Sequence, residues 1–321
     1  MALYKIKDLT YYYPHSAHPA LNRVSLNLEE GEFVLLLGSS GGGKSSLLRL
    51  LGGLIPDFYG GRIAGDALFR GRKLSEWTKP ALVQEVGFVF QDPEKQLILR
   101  NVEREIAFGL ENLGITRIEM RRRVAEVMDF FGLDELSRKE STQELSGGEK
   151  QKLTLAAVLA MQPRVLLLDE PTSQLDPAAA EEILNLVKRL NEEMGITVVL
   201  VEQRLERCYH LADRVVLMDG GNIAADGDPQ KIISWQAERL SPLMPPVARF
   251  FAHLGQPEIP LTVKQGQQRF RQMGLLDAEG VSANCSPALY PAHPGPYKAE
   301  KAADFGAVNV KNVWFLYDNG Q

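Results

Sequence analysis

The run Gly38-Ser-Ser-Gly-Gly-Gly-Lys44-Ser45 fits the pattern G-x-x-x-x-G-K-[ST], whose residue types suit phosphate binding. Glycines let a backbone wrap around phosphate oxygens with its N–H groups turned inward, and a helix that begins directly afterwards adds the positive end of its dipole. The candidate cradle is therefore Gly38, Ser39, Ser40, Gly41, Gly42 and Gly43. Lys44 can reach β- and γ-phosphates, the Ser45 hydroxyl can join a Mg²⁺ shell, and Ser46 completes the phosphate-binding set. A glycine-rich turn with a solvated lysine would explain these residues one at a time, but not the full pattern between a strand and a helix.

Two further runs carry chemistry. Val165-Leu-Leu-Leu-Asp169-Glu170 is an apolar stretch ending in two carboxylates. Side chains alternate along a strand, so the two acids face different ways and take different tasks. Asp169 suits a metal ion, commonly through water, while Glu170 suits general-base work on an attacking water. Leu145-Ser146-Gly147-Gly148-Glu149-Lys150-Gln151 opens a helix with a serine cap and an acid in the first turn. Adjacent glycines weaken a helix start unless something must approach the backbone closely, which makes Ser146, Gly147 and Gly148 binding candidates.

These residues need elements to hold them. Short apolar runs at 33–37, 86–90, 165–168, 197–201 and 214–218 predict strands buried on both faces. Helical spacing at 45–51, 117–131, 149–161 and 178–193 lies between them, and the alternation predicts an α/β fold with a parallel sheet core. A strand over 6–13 is expected to pair with 21–28 as an N-terminal antiparallel β part, and the stretch 79–150 is expected to form a helical lobe. Beyond Asp228 the texture changes. Pro229, Pro242, Pro245, Pro246, Pro257 and Pro260 are expected to break any long helix, and a small C-terminal extension is expected over 231–281. A Pro-rich linker over 282–304 follows. Val310-Lys-Asn-Val-Trp-Phe-Leu-Tyr317 then repeats the chemistry of Ile6-Lys-Asp-Leu-Thr-Tyr-Tyr-Tyr13, so 305–321 reads as the start of a second, truncated copy.

Taken together, residues 1–230 resemble the nucleotide-binding domain of ABC ATPases, a P-loop NTPase fold, and the run from Leu145 to Gln151 is similar to that family's signature motif. The resemblance implies further assignments. Tyr13, before Pro14, stands where an aromatic residue stacks on adenine. Gln91 matches the glutamine that links the Mg²⁺ site to the helical lobe, and Ser173-Gln-Leu-Asp176 resembles the loop coupling two sites across a dimer. ATP and Mg²⁺ are the implied ligands. Each ATP would lie between the Walker motifs of one domain and the signature of another, so one domain makes two half-sites. Asp169, Ser45 and Gln91 are then the metal-side residues, and Glu170, Gln91 and Gln203 the catalytic ones. One position departs: after the strand at 197–201 the family places a histidine against the γ-phosphate, and this chain has Glu202-Gln203-Arg204. Glutamine can donate and accept a hydrogen bond but carries no charge and shuttles no proton, which bears on turnover at this domain's own site.

Phe88-Val-Phe-Gln91-Asp-Pro-Glu-Lys-Gln96-Leu resembles the glutamine loop of energy-coupling-factor (ECF) ATPases, which drive uptake of vitamins or of cobalt and nickel. The implied partners are transmembrane transporter subunits and a second ABC ATPase domain, with the chain peripheral on the cytoplasmic face of the cell membrane. Two other readings compete: a soluble ABC ATPase acting on ribosomes or DNA, and a regulatory nucleotide-binding module with little turnover. The net charge of −5 gives no basic field, so no nucleic-acid partner is expected. Apolar runs of four or five residues are far short of the roughly 20 a membrane-spanning helix needs. Cys208 and Cys285 have no metal or redox spacing and read as reduced thiols.

Overall fold

The computed structural model describes residues 2–133 and 141–274. The predicted linker, the second-copy start and Cys285 lie outside the described residues.

In chain order come β1 (Ala2–Tyr12), β2 (Leu21–Glu29), β3 (Phe33–Gly38), α1 (Lys44–Leu51), β4 (Arg62–Phe69), β5 (Arg72–Lys73), α2 (Lys79–Glu85) and β6 (Val86–Val89). Helices α3 (Val102–Asn112), α4 (Arg117–Phe131) and α5 (Gly147–Leu159) follow, then β7 (Val165–Asp169), α6 (Pro177–Met194), β8 (Thr197–Val201) and a short α7 (Leu205–Cys208). Strands β9 (Arg214–Asp219) and β10 (Asn222–Gly227) and helices α8 (Pro229–Glu238), α9 (Pro246–His253) and α10 (Val263–Gln272) complete the described chain.

The strands form two sheets. One has six strands in the order β10-β9-β3-β8-β7-β6, parallel except for the β9–β10 hairpin. Its interior strands are buried on both faces and sort their side chains by the two-residue period. Phe33, Leu35, Leu37, Leu166, Leu168, Val198 and Leu200 pack with α5 and α6, while Val34, Leu36, Val165, Leu167, Val199 and Val201 pack towards α1 and the second sheet. That second sheet is antiparallel, β2-β1-β4-β5. The expected β1–β2 pair is present, with Ile6 opposite Leu26, and β4 adds itself to the other side of β1. β4 is exposed for most of its length, and its weak apolar pattern hid it in the sequence.

Helices α3, α4 and α5 pack together over a stretch that overlaps the expected 79–150 but runs on to Leu159, while β6 belongs to the six-stranded sheet and Leu82 of α2 packs in the core of α1 and the second sheet. The lobe is fastened from within by Glu105. This buried carboxylate accepts from the N–H groups of Ile98 (3.0 Å) and Leu99 (2.5 Å), and burial raises its pKa. Beyond β10, the prolines start helices where the sequence led us to expect interruption. Pro229 and Pro246 each open a helix, where a missing N–H costs nothing, and Asp228 caps α8 by accepting from Gln230 N. Phe251 is buried against Phe270 of α10.

Leu167 sits fully buried at the centre of this arrangement. Leu167→Ala should cost about 2–5 kcal/mol, read from denaturant unfolding. A loss below about 1 kcal/mol would mean that β7 is not packed on both sides.

Candidate functional site

The site begins at the carboxyl end of β3. Gly41 (φ 75°) and Gly43 (φ 100°) hold left-handed backbone between β3 and α1, and a Cβ on Gly43 would lie 2.7 Å from the Ala20 carbonyl oxygen. The loop they shape leaves Ser39, Ser40 and Gly41 exposed and α1 opening without a side-chain cap. The first-turn N–H groups of α1 therefore remain available to an anion. Lys44 folds back over the loop, donating from Nζ to the carbonyl oxygens of Gly38 and Ser39, both at 2.9 Å. Burial lowers its pKa, opposed by the nearby Glu170 and Asp169 charges.

Register then delivers the acids. β8 lies between β3 and β7, with Val201 beside both Leu36 and Asp169. Asp169 accepts from the Ser45 hydroxyl at 3.1 Å and is 8% exposed; burial raises its pKa, and the Ser45 bond opposes that. A hydroxyl and a carboxylate at this spacing are the hard oxygen donors that Mg²⁺ prefers, and phosphate oxygens would complete the shell. Among the described residues no group of three His, Cys, Asp or Glu side chains could hold a metal alone.

Glu170 has φ 51°, left-handed for a residue with a side chain, and its N–H donates to the Val201 carbonyl at 3.0 Å. Such a conformation costs on the order of 1 kcal/mol or more. It turns the Glu170 carboxylate toward two amides. Gln203 Nε2 donates to both carboxylate oxygens at 2.8 Å, and Gln91 Nε2 donates to Oε2 at 3.1 Å. The three expected catalytic residues thus meet at one carboxylate, and the glutamine in the histidine position serves as its donor.

The signature residues are elsewhere. Ser146 caps α5 in a reciprocal capping box with Glu149. Ser146 and Gly147 are exposed, and Cβ atoms on Gly147 and Gly148 would meet Leu175 and Ala179. Among the described residues no hydrogen bond joins 146–148 to the phosphate loop. Tyr13 follows β1, partly exposed, its hydroxyl 3.2 Å from Ser46 Oγ.

The sequence reading missed several supports. Buried Glu202 accepts from Thr172 N (3.1 Å), Thr172 Oγ1 (2.6 Å) and Gln203 N (3.1 Å), tying the segment after Glu170 to the one carrying Gln203. Its pKa is raised by burial. Gln96 clamps the end of β6, donating to Phe88 O and accepting from Phe90 N, both at 2.9 Å, directly before Gln91. Glu94 pairs with Lys150 of α5, linking the Gln91 loop to the signature helix. Leu243 of the extension lines a cavity of about 220 Å³ with Gly38, Ser39, Lys44, Glu202 and Gln203. A polar residue closing an apolar strand was a visible signal for Glu202, whereas nothing local marks Leu243.

The sequence profile of the ABC transporter family matches residues 21–173. An ABC transporter ATP-binding protein of Bacillus cereus is 42% identical over 275 residues, covering 85% of this chain and 49% of the relative. One of Caldanaerobacter subterraneus is 36% identical over 328 residues, covering 98% of this chain and 55% of its own length. The chain thus spans about half the length of the curated relatives it matches. Among solved structures, cbiO1 of Clostridium perfringens, part of the ABC transporter complex cbiONQ, is similar with a TM-score of 0.65 and 29% identity over 79% of this chain and 98% of that one. The ATP-binding cassette MJ0796, a dimer in a post-hydrolysis state bound to ADP and Pi, matches with a TM-score of 0.61 and 30% identity over 70% of this chain and 98% of its own.

The raised pKa of Asp169 sets a test. A carboxylate whose folded pKa exceeds its unfolded value stabilises the fold at low pH, and that contribution is lost as pH rises through the folded pKa. At pH 8 the buried charge is therefore a burden in the nucleotide-free protein. Asp169→Asn should raise Tm by a few degrees at pH 8, the gain shrinking as pH falls towards 4, while Mg²⁺-dependent nucleotide binding is lost. Lower stability at pH 8 would contradict this account.

Proposed function

This chain belongs to the ABC transporter family of ATP-binding proteins, and we propose that it is the ATP-hydrolysing part of an ECF-type importer taking up a vitamin or a metal ion through transmembrane partners. The observation that carries the reading is the convergence on Glu170: Gln91 and Gln203 both donate to it, while Ser45 and Asp169 pair beside it. Glu170 would take the proton of the attacking water, and the two amides would hold its carboxylate in place without competing for that proton. Lys44, the loop glycines and the first turn of α1 would bind and orient the phosphates, and Ser45, Asp169 and Gln91 would hold Mg²⁺, which supplies charge neutralisation on the phosphates when bound. Tyr13 would stack on adenine.

Ser146, Gly147 and Gly148 would close over the ATP of a second ABC ATPase domain, in another copy or in a longer protein. The exposure of Ser146 and Gly147, and the greater length of the curated relatives, support that arrangement. Docking would use an apolar groove of about 410 Å³ between α2, α3 and α5, lined by Val83, Leu97, Ile98, Phe108, Leu113 and Met161. Gln96 also lines it, so a partner helix seated there would touch the residue that clamps the Gln91 segment. Likeness to cbiO1 and the glutamine loop support the ECF assignment. No described helix is long and apolar enough to cross a membrane, which fits a peripheral subunit at the cytoplasmic face.

Glu170→Gln should slow ATP hydrolysis by on the order of 10²-fold or more while ATP still binds. Gln203→His should raise the rate if the missing imidazole limits turnover. Unchanged hydrolysis in Glu170→Gln would remove Glu170 from the base role.

A further inference from the structure

Tyr13 is tied down at its hydroxyl. Its Oη accepts from Arg49 Nη1 at 2.7 Å and lies 3.2 Å from Ser46 Oγ. Ser46 and Arg49 stand three residues apart on α1 and so share one face of that helix. The ring is thereby fastened to the first turns of the helix whose N-terminus carries Lys44 and Ser45. A base attached to phosphates held at that N-terminus would come within reach of this ring.

Arg49 is an unusual choice for a half-buried position. Its guanidinium carbon lies 4.7 Å from the centroid of the Tyr59 ring, and its Nε is buried without a partner. Leaving a charged donor unsatisfied is costly, and an aliphatic side chain would fill the same space without that cost. The bond to Tyr13 gives the arginine a task. Two more rings confine Tyr13: Tyr11 meets it edge-on at 4.9 Å and 76°, and Tyr59 at 6.3 Å and 84°. Tyr11 is itself fully buried, its hydroxyl donating to the Gly60 carbonyl at 2.7 Å. Tyr13 stays partly exposed within this frame.

We propose that Arg49 is a positioning residue for the nucleotide base: its hydrogen bond to the Tyr13 hydroxyl presets the ring for stacking before ATP arrives. The inference rests on the nucleotide site proposed above. An untethered tyrosine samples several staggered rotamers, and freezing one on binding weakens affinity. The tether removes that penalty from the base and leaves the phosphate contacts alone.

Calorimetric titration with MgATP and with magnesium tripolyphosphate, which has no base, tests the idea. Arg49→Met should weaken MgATP by roughly three- to tenfold and leave tripolyphosphate unchanged, and Tyr13→Phe, which also frees the Ser46 hydroxyl, should weaken MgATP to a similar degree. The double variant should be no weaker than either single one, because both remove the same bond. The proposal is overturned if Arg49→Met weakens both ligands equally, if it leaves MgATP unchanged, or if the two losses add. Tyr13→Phe breaks the bond without altering α1, so it carries the test even if Arg49→Met fails to fold. Tyr13→Ala separates the layers. Unchanged MgATP binding in that variant would remove the stacking premise itself, whereas a loss there with none in Arg49→Met would defeat the tether alone.

Discussion

The site depends on one constraint, the in-register pairing of β3, β8 and β7. Leu36 and Asp169 both lie beside Val201, and Val89 lies beside Leu168, so the carboxyl ends of four parallel strands come level. A shift of one residue in any of them would swap its two faces and bury the wrong side chains. The clean sorting of Val34, Leu35, Leu36 and Leu37 between two separate cores makes such a shift expensive. Packing over the whole sheet thus fixes the positions of Lys44, Asp169, Glu170 and Gln203 to within hydrogen-bonding distances. No single polar contact could do that.

At that edge the fold accepts unfavourable local states. Asp169 and Glu202 are buried carboxylates, Lys44 is held partly dry, and Glu170 takes a left-handed backbone. Each is tolerable because its neighbours are hydrogen-bonded to it, and under the proposed function a phosphate and a cation would bring compensating charge to Lys44 and Asp169. The same logic explains why the edge is left exposed at Ser39, Gln91 and Gln203 while the strands below are dry. Ser146 and Gly147, exposed on another part of the surface, have the same unfinished character.

Much of this was legible in the sequence because strong local patterns carried it. The buried strands, the phosphate loop before α1, the acids ending β7 and the serine cap of α5 are all short-range signals. What stayed hidden depends on distance or on weak patterning. β4 is mostly exposed and alternates poorly, so only its pairing with β1 defines it. Pro229 and Pro246 looked like breakers, yet at the first helical position they start α8 and α9. Arg49 reads locally as a solvated helix residue, and Leu243 as a loop leucine, until folding brings one to Tyr13 and the other to the phosphate loop.

The central claim is that this chain carries two separate halves of an ATP site. Complementation tests it most directly, by mixing Lys44→Ala, whose phosphate loop is disabled, with Ser146→Arg, whose signature is blocked. MgATP-dependent pairing, followed by sedimentation, should fail for each variant alone and return in the mixture, where one intact loop meets one intact signature. Pairing by either variant alone, or none in the mixture while the parent pairs, would contradict the account.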